Sequence, residues 1–134
     1  MTHTYVGGTA ARDDASPLHS EETRAVDEGT GGMKGQKLAQ LGGLPPVALM
    51  VVAEVSGYGA EKYGDRYNYL LGYKWSLSYD ALQRHLHAFW AREDTDPQSG
   101  LLHLGHAAWH CLALIAYSVH KIGTDDRPTY GPKT

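Results

Sequence analysis

The sequence predicts an all-α protein: a three- to four-helix bundle, oligomeric, with a flexible N-terminal arm and a C-terminal tail. Two observations carry that prediction. Three segments after residue 44 repeat apolar side chains at helical spacing, and the chain's glycines and aromatics are unevenly placed. Eight of the sixteen glycines fall within the first 43 residues, whereas twelve of the thirteen aromatics lie after residue 44. The foldable unit is therefore about 90 residues long.

Residues 1–32 combine Gly, Ser, Thr, Asp and Glu with almost no large apolar side chain. Burial there cannot offset the entropy of ordering, so a flexible arm is expected. The lead-in MKGQKLAQLGGLPP carries Met33, Leu38, Leu41 and Leu44 and ends in a proline pair able to open a helix. The first helix runs from Pro45 or Pro46 through Tyr63, with Gly64 as its C-terminal cap. At about 100° per residue, Val47, Val51, Glu54, Tyr58 and Glu61 share one face, which turns two carboxylates inward. The aromatic stretch DRYNYLLGYKW reads as a structured loop. A second helix extends from Ser76 or Ser78 to Arg92 and points His85 to its packed side. The third, capped by Ser99, spans Gly100 to Lys121 and ends at Gly123. Its expected apolar face is Leu101, Leu104, Ala108, Cys111, Leu112, Ile115 and Val119, while His103, His106, His110 and Tyr117 occupy another arc. The domain is thus expected over residues 33–128, with residues 129–134 as a tail.

Composition narrows the function. With 42% hydrophobic and 20% charged residues the chain is of the soluble globular class, and a net charge of −3 leaves no basic footprint for polynucleotides. Cys111 stands alone, which leaves no disulfide framework and no cysteine-based zinc site, and fits a reducing cytoplasm. No signal peptide or membrane-length apolar run occurs. Glu54, Glu61, His85, Glu93, Asp96, His103, His106 and His110 fall on inward or helix-end positions, where buried charge needs a counter-ion or a metal. Glu54 and Glu61 could be answered by Lys62, Lys74 or Arg84, and a lone helical histidine is commonly a satisfied core residue. HLGH at 103–106 lacks the spacing and the Glu of a zinc-protease helix. A Glu-x-x-Asp unit at Glu93 to Asp96, with Glu54 on another helix, favours Mg or Mn. No phosphate-loop, dinucleotide or hydrolase-elbow motif is present.

The runs EVSGYGAEKYG (54–64) and RHLHAFWAREDTDPQSGLLHLGHAAW (84–109) together resemble the phage-associated dATP/dGTP diphosphohydrolase family, akin to the all-α MazG-like nucleotide pyrophosphohydrolases. The resemblance covers roughly residues 33–128. It implies cleavage of purine deoxynucleoside triphosphates by a helical unit whose carboxylates carry a divalent metal. Glu54, Tyr58, Lys62, Tyr63, Arg84, His85, Glu93, Asp96, His103 and His106 fall on family-like positions. Two features depart from the family pattern: Glu54 and Glu61 are seven apart instead of forming a Glu-x-x-Glu pair, and Tyr69 stands where a Trp is expected after Asn68.

On that basis Glu54, Glu93 and Asp96 are the expected ligands of Mg or Mn, and Glu61 or His85 the group that orients or deprotonates water. Lys62, Lys74 and Arg84 would neutralise phosphate. Tyr58, Tyr69 or Trp75 would stack on the base, with Tyr63, His103 and His106 completing the substrate side. The expected function is hydrolysis of purine (deoxy)nucleoside triphosphates to monophosphate and pyrophosphate in nucleotide-pool control, in the cytoplasm of a cell or phage host, by a homo-oligomer. The alternatives are a non-catalytic protein that sequesters nucleotides or signalling molecules, and a helical interaction module whose histidine stripe is only core.

Overall fold

The structure, a computed structural model, describes residues 21–132. Of the arm expected over residues 1–32, residues 1–20 lie outside the described residues. The chain divides into two compact units, residues 1–44 and 45–134.

The first unit corrects the all-α expectation, because it contains an antiparallel hairpin. Strand β1 (Glu22–Val26) pairs with β2 (Met33–Lys37) in a register that sets Glu22 opposite Lys37 and Val26 opposite Met33. The turn is held by Asp27, whose Oδ1 accepts from the backbone amides of Gly29 (2.9 Å) and Thr30 (2.8 Å) and from the Thr30 hydroxyl (3.1 Å). These bonds favour the charged carboxylate and lower its pKa, the Thr30 amide contributing most. An Asp followed by glycines between two strand-capable runs is a turn signal. The shortage of large apolar side chains, on which the flexible-arm expectation rests, does not register this turn. A short 3-10 turn, Leu41–Gly43, completes the unit.

The second unit contains three helices: α1 (Pro46–Tyr63), α2 (Trp75–Trp90) and α3 (His103–His120), with a 3-10 turn at Asn68–Leu71. Helix α3 is central and packs against both α1 and α2. Helix α1 matches its expected limits: Pro46 sits in its first turn, and Gly64 closes it in the left-handed region with its amide on the Ala60 carbonyl. The approach of α1 and α3 depends on Gly105, where a Cβ would lie 2.7 Å from Val51 Cγ1.

Residues 122–127 strap across the start of α2. The Trp75 amide donates to the Thr124 carbonyl and the Thr124 amide to the Tyr73 carbonyl, at 3.0 and 3.2 Å. Asp126 then accepts from the Ser76 amide (2.9 Å) and the Ser76 hydroxyl, so the helix end is satisfied from a distant segment. Neither Ser76 nor Ser78 is the N-cap, which is Lys74.

Helix α3 departs from expectation in two ways. It begins at His103, because residues 93–102 bond among themselves and Ser99 is engaged elsewhere. It also turns its histidine arc inward: His103, His106, Ala107, Ala113 and Tyr117 are buried, while Leu104, Cys111, Leu112 and Ile115 are exposed. The core of this unit is small, with Val55, Trp75, Ala107, Ala113 and Tyr117 as its buried apolar members beside buried Ser78, His103 and His106. Among the described residues no helix is long and apolar enough to cross a membrane.

Candidate functional site

The inward arc of α3 meets α2 and the loop between them in a continuous polar cluster. The loop is preformed. The Asp96 amide donates to the Leu101 carbonyl and the Gly100 amide to the Asp96 carbonyl, each at 2.8 Å, and Thr95 bridges Leu102. The first amide of α3, that of His103, is taken by the Asp94 carbonyl at 2.8 Å. Asp96 Oδ1 accepts from the Gln98 amide (2.9 Å), fixing the carboxylate, whose Oδ2 lies 3.5 Å from His106 Nε2. The Asp96 side chain is only 16% exposed.

Three donors of different elements converge here: one each from His85 on α2, Asp96 on the loop and His106 on α3, all within 4.8 Å of one another. The His85 and His106 rings stack with centroids 4.6 Å apart. Burial is the largest influence on both and pushes their pKa values down; neighbouring histidines reinforce this, and Asp96 opposes it. A second chain of contacts runs outward: His85 Nδ1 is 2.8 Å from His103 Nδ1, and His103 Nε2 is 2.7 Å from Glu93 Oε1. Glu93 is half exposed, His103 buried. Ser99 completes the shell, with Oγ 2.7 Å from His106 Nε2 and accepting from the Leu101 amide at 3.1 Å.

Behind these residues His110 Nδ1 lies 3.0 Å from Ser78 Oγ, which meets the Tyr73 hydroxyl at 2.5 Å. Burial depresses His110 to about 4. Tyr117, fully buried, donates to the Tyr69 carbonyl at 2.6 Å, and burial with the Tyr73 contact raises its pKa. His110 is thus a satisfied core histidine.

The structure brings together His85, Glu93, Asp96, His103 and His106. Tyr58 joins them, with its ring edge-on to His106 at 5.9 Å. Lys62 and Arg84 are exposed, yet their charges are felt at His106 and His85 respectively. Glu54 and Glu61, expected inward, are exposed on α1 and outside the cluster, because α1 buries Val55 and the Val51 side meeting Gly105 instead. Tyr63 is exposed and lies under Lys62, 5.4 Å from ring centroid to Nζ. Lys74 is the α2 cap, distant in role from the cluster. Trp75 is a packing residue: its indole N–H donates to the Ile122 carbonyl at 2.8 Å. Tyr69 lines an apolar groove of about 310 Å³ with Leu49, Val52, Ser56 and Trp109, which contains none of the clustered histidines. Sequence reasoning missed Ser99 as a partner of His106. Its position just before the third helix resembled a cap, and only its seven-residue spacing from His106 hinted otherwise.

The donor chemistry fits a divalent metal: two imidazoles held neutral by burial and an anchored carboxylate. A family model described as dATP/dGTP diphosphohydrolase, N-terminal, matches residues 28–127, a span that contains every clustered residue. No curated protein and no solved structure matches the chain.

Proposed function

The chain belongs to the dATP/dGTP diphosphohydrolase N-terminal family, and from that premise we propose that it hydrolyses purine (deoxy)nucleoside triphosphates to monophosphate and pyrophosphate with a divalent metal. The observation that carries this reading is the convergence of His85, Asp96 and His106 donors within 4.8 Å, inside the matched span. These three residues would hold the ion, of which Mg and Mn are the first to test. When bound, it supplies charge neutralisation for phosphate oxygens and acidity for water.

The chain's own residues supply the rest. Asp96 is held by the Gln98 amide, so its charge is in place before substrate arrives. Lys62 and Arg84 add positive charge at the edge of the cluster, where a triphosphate needs it. Glu93 Oε1 meets His103 Nε2 at 2.7 Å and would orient His85 through that ring. Tyr58 and Tyr69 remain the aromatic candidates for the base. The proposal includes a homo-oligomer, because Leu104, Leu112 and Ile115 leave an apolar arc of α3 in contact with solvent.

The test is a panel of dNTPs incubated with the protein and Mn, Mg or a chelator, with products separated by anion exchange. Monophosphate and pyrophosphate from dATP or dGTP, abolished by chelator, are expected. Intact triphosphates under all metal conditions would overturn the reading.

A further inference from the structure

The short contacts within the cluster restrict which nitrogens can be bare when its imidazoles are neutral. An ionised carboxylate only accepts, so the 2.7 Å contact with Glu93 Oε1 requires the proton of a neutral His103 to be on Nε2. His103 Nδ1 is then a lone pair, and the 2.8 Å contact requires His85 Nδ1 to carry the proton. His85 is left with a bare Nε2. Ser99 Oγ accepts from the Leu101 amide and has two acceptors in reach of its own proton, Asp96 Oδ2 at 3.4 Å and, in the tautomer with the His106 proton on Nδ1, His106 Nε2 at 2.7 Å. In that tautomer His106 Nε2 offers a lone pair, which an ion would take in place of the Ser99 hydroxyl, leaving the Ser99 proton to Asp96. His106 Nε2 stands 3.5 Å from Asp96 Oδ2, the separation spanned by two donors each ~2.1 Å from one ion at an angle of about 110°. Donors on one ion are at most about 4.2 Å apart, so the 4.8 Å limit of the set asks for a contraction of roughly half an ångström, and because the His85 and His106 rings are stacked within 7° of parallel, one of them must also turn to aim its lone pair at the shared ion.

We infer that His85, Asp96 and His106 form a two-imidazole, one-carboxylate site for a first-row transition-metal dication in preference to magnesium, with Glu93 and His103 as a relay that orients His85. The inference deepens the hydrolase reading and rests on it for the ion's role in turnover, while the ion's binding stands on the donor set alone. Magnesium is a hard ion that favours oxygen ligands and retains its waters, whereas imidazole nitrogen suits the borderline ions of the first row. A carboxylate behind a ligating histidine fixes its tautomer and strengthens it as a donor. Glu93 and His103 supply that arrangement through two rings in series. They are positioning residues.

The probe is Co2+, titrated into the full chain by calorimetry and by its visible d–d absorption, with Mg2+ as competitor. One Co2+ per chain is expected, bound about 100-fold or more tighter than Mg2+. His85→Gln and His106→Gln, with far-UV circular dichroism as the folding control, should each abolish the visible band. Glu93→Ala should weaken Co2+ about 10- to 100-fold, and Glu93→Gln, which retains an acceptor oxygen, should restore most of that loss. Displacement of Co2+ by equal Mg2+, or an unchanged visible band in the wild type on adding Co2+, overturns the inference without recourse to any variant. Tight Co2+ binding without dNTP turnover would keep this site and discard the hydrolase reading; turnover with Mg2+ and no Co2+ site would do the reverse.

Discussion

Burial disfavours the charged forms of His85, His106 and His110, and that makes the fold sensitive to acid. His110 is depressed from its usual 6.5 to about 4, and His85 and His106 are lowered as well. In the unfolded chain all three regain ordinary values, so between about 6.5 and 4 the unfolded state binds more protons. A base whose folded pKa is depressed contributes stability that is fully present above its unfolded pKa and is lost as pH falls below it. The urea midpoint should therefore drop steadily from about pH 7.5 to about pH 5, with most of the fall below pH 6.5. A constant midpoint over that range would show that the rings are not buried as described.

Helix contacts make equally sharp demands. Gly105→Ala adds a methyl group that meets Val51 Cγ1 at 2.7 Å, and overpacking of this kind costs about 1–3 kcal/mol, read as a lower thermal midpoint. An unchanged midpoint would mean that α1 and α3 are less closely packed than described. At this scale the sequence was informative where local chemistry decides. Pro46 and Gly64 bracket α1 as expected, because a first-turn proline and a left-handed glycine act without tertiary help. The start of α3 was illegible, since Ser99 bonds a side chain seven residues on and the backbone of Asp94 caps the helix in its place. The hairpin is not legible from the shortage of large apolar side chains over residues 1–32, because its turn is held by the side-chain bonds of Asp27 and not by burial. His85, Glu93, Asp96, His103 and His106 were identifiable as polar residues at inward or helix-end positions. Their partners were not, because periodicity places a residue on a face without saying what lies opposite.

In the helical unit the orientation of α3 is the dominant feature: His103 and His106 are buried beside Ala107, Ala113 and Tyr117, while Leu112 and Ile115 are 53% and 58% exposed. Apolar area of this kind is ordinarily covered by another subunit. Light scattering at micromolar concentration should give a mass above that of one 14.6 kDa chain, and Leu112→Glu with Ile115→Glu should lower it. A monomeric wild type would remove the oligomer from the account. The central claim is that hydrolysis takes place at the histidine–aspartate cluster and not at the exposed carboxylates of α1. Two isosteric variants separate the alternatives, Asp96→Asn at the cluster and Glu54→Gln on α1, assayed side by side for dATP and dGTP hydrolysis with Mn. The account predicts a loss of about 100-fold or more for Asp96→Asn, in line with removal of a direct electrostatic contributor, and near wild-type turnover for Glu54→Gln. Wild-type rates for Asp96→Asn, with turnover abolished in Glu54→Gln, would contradict it.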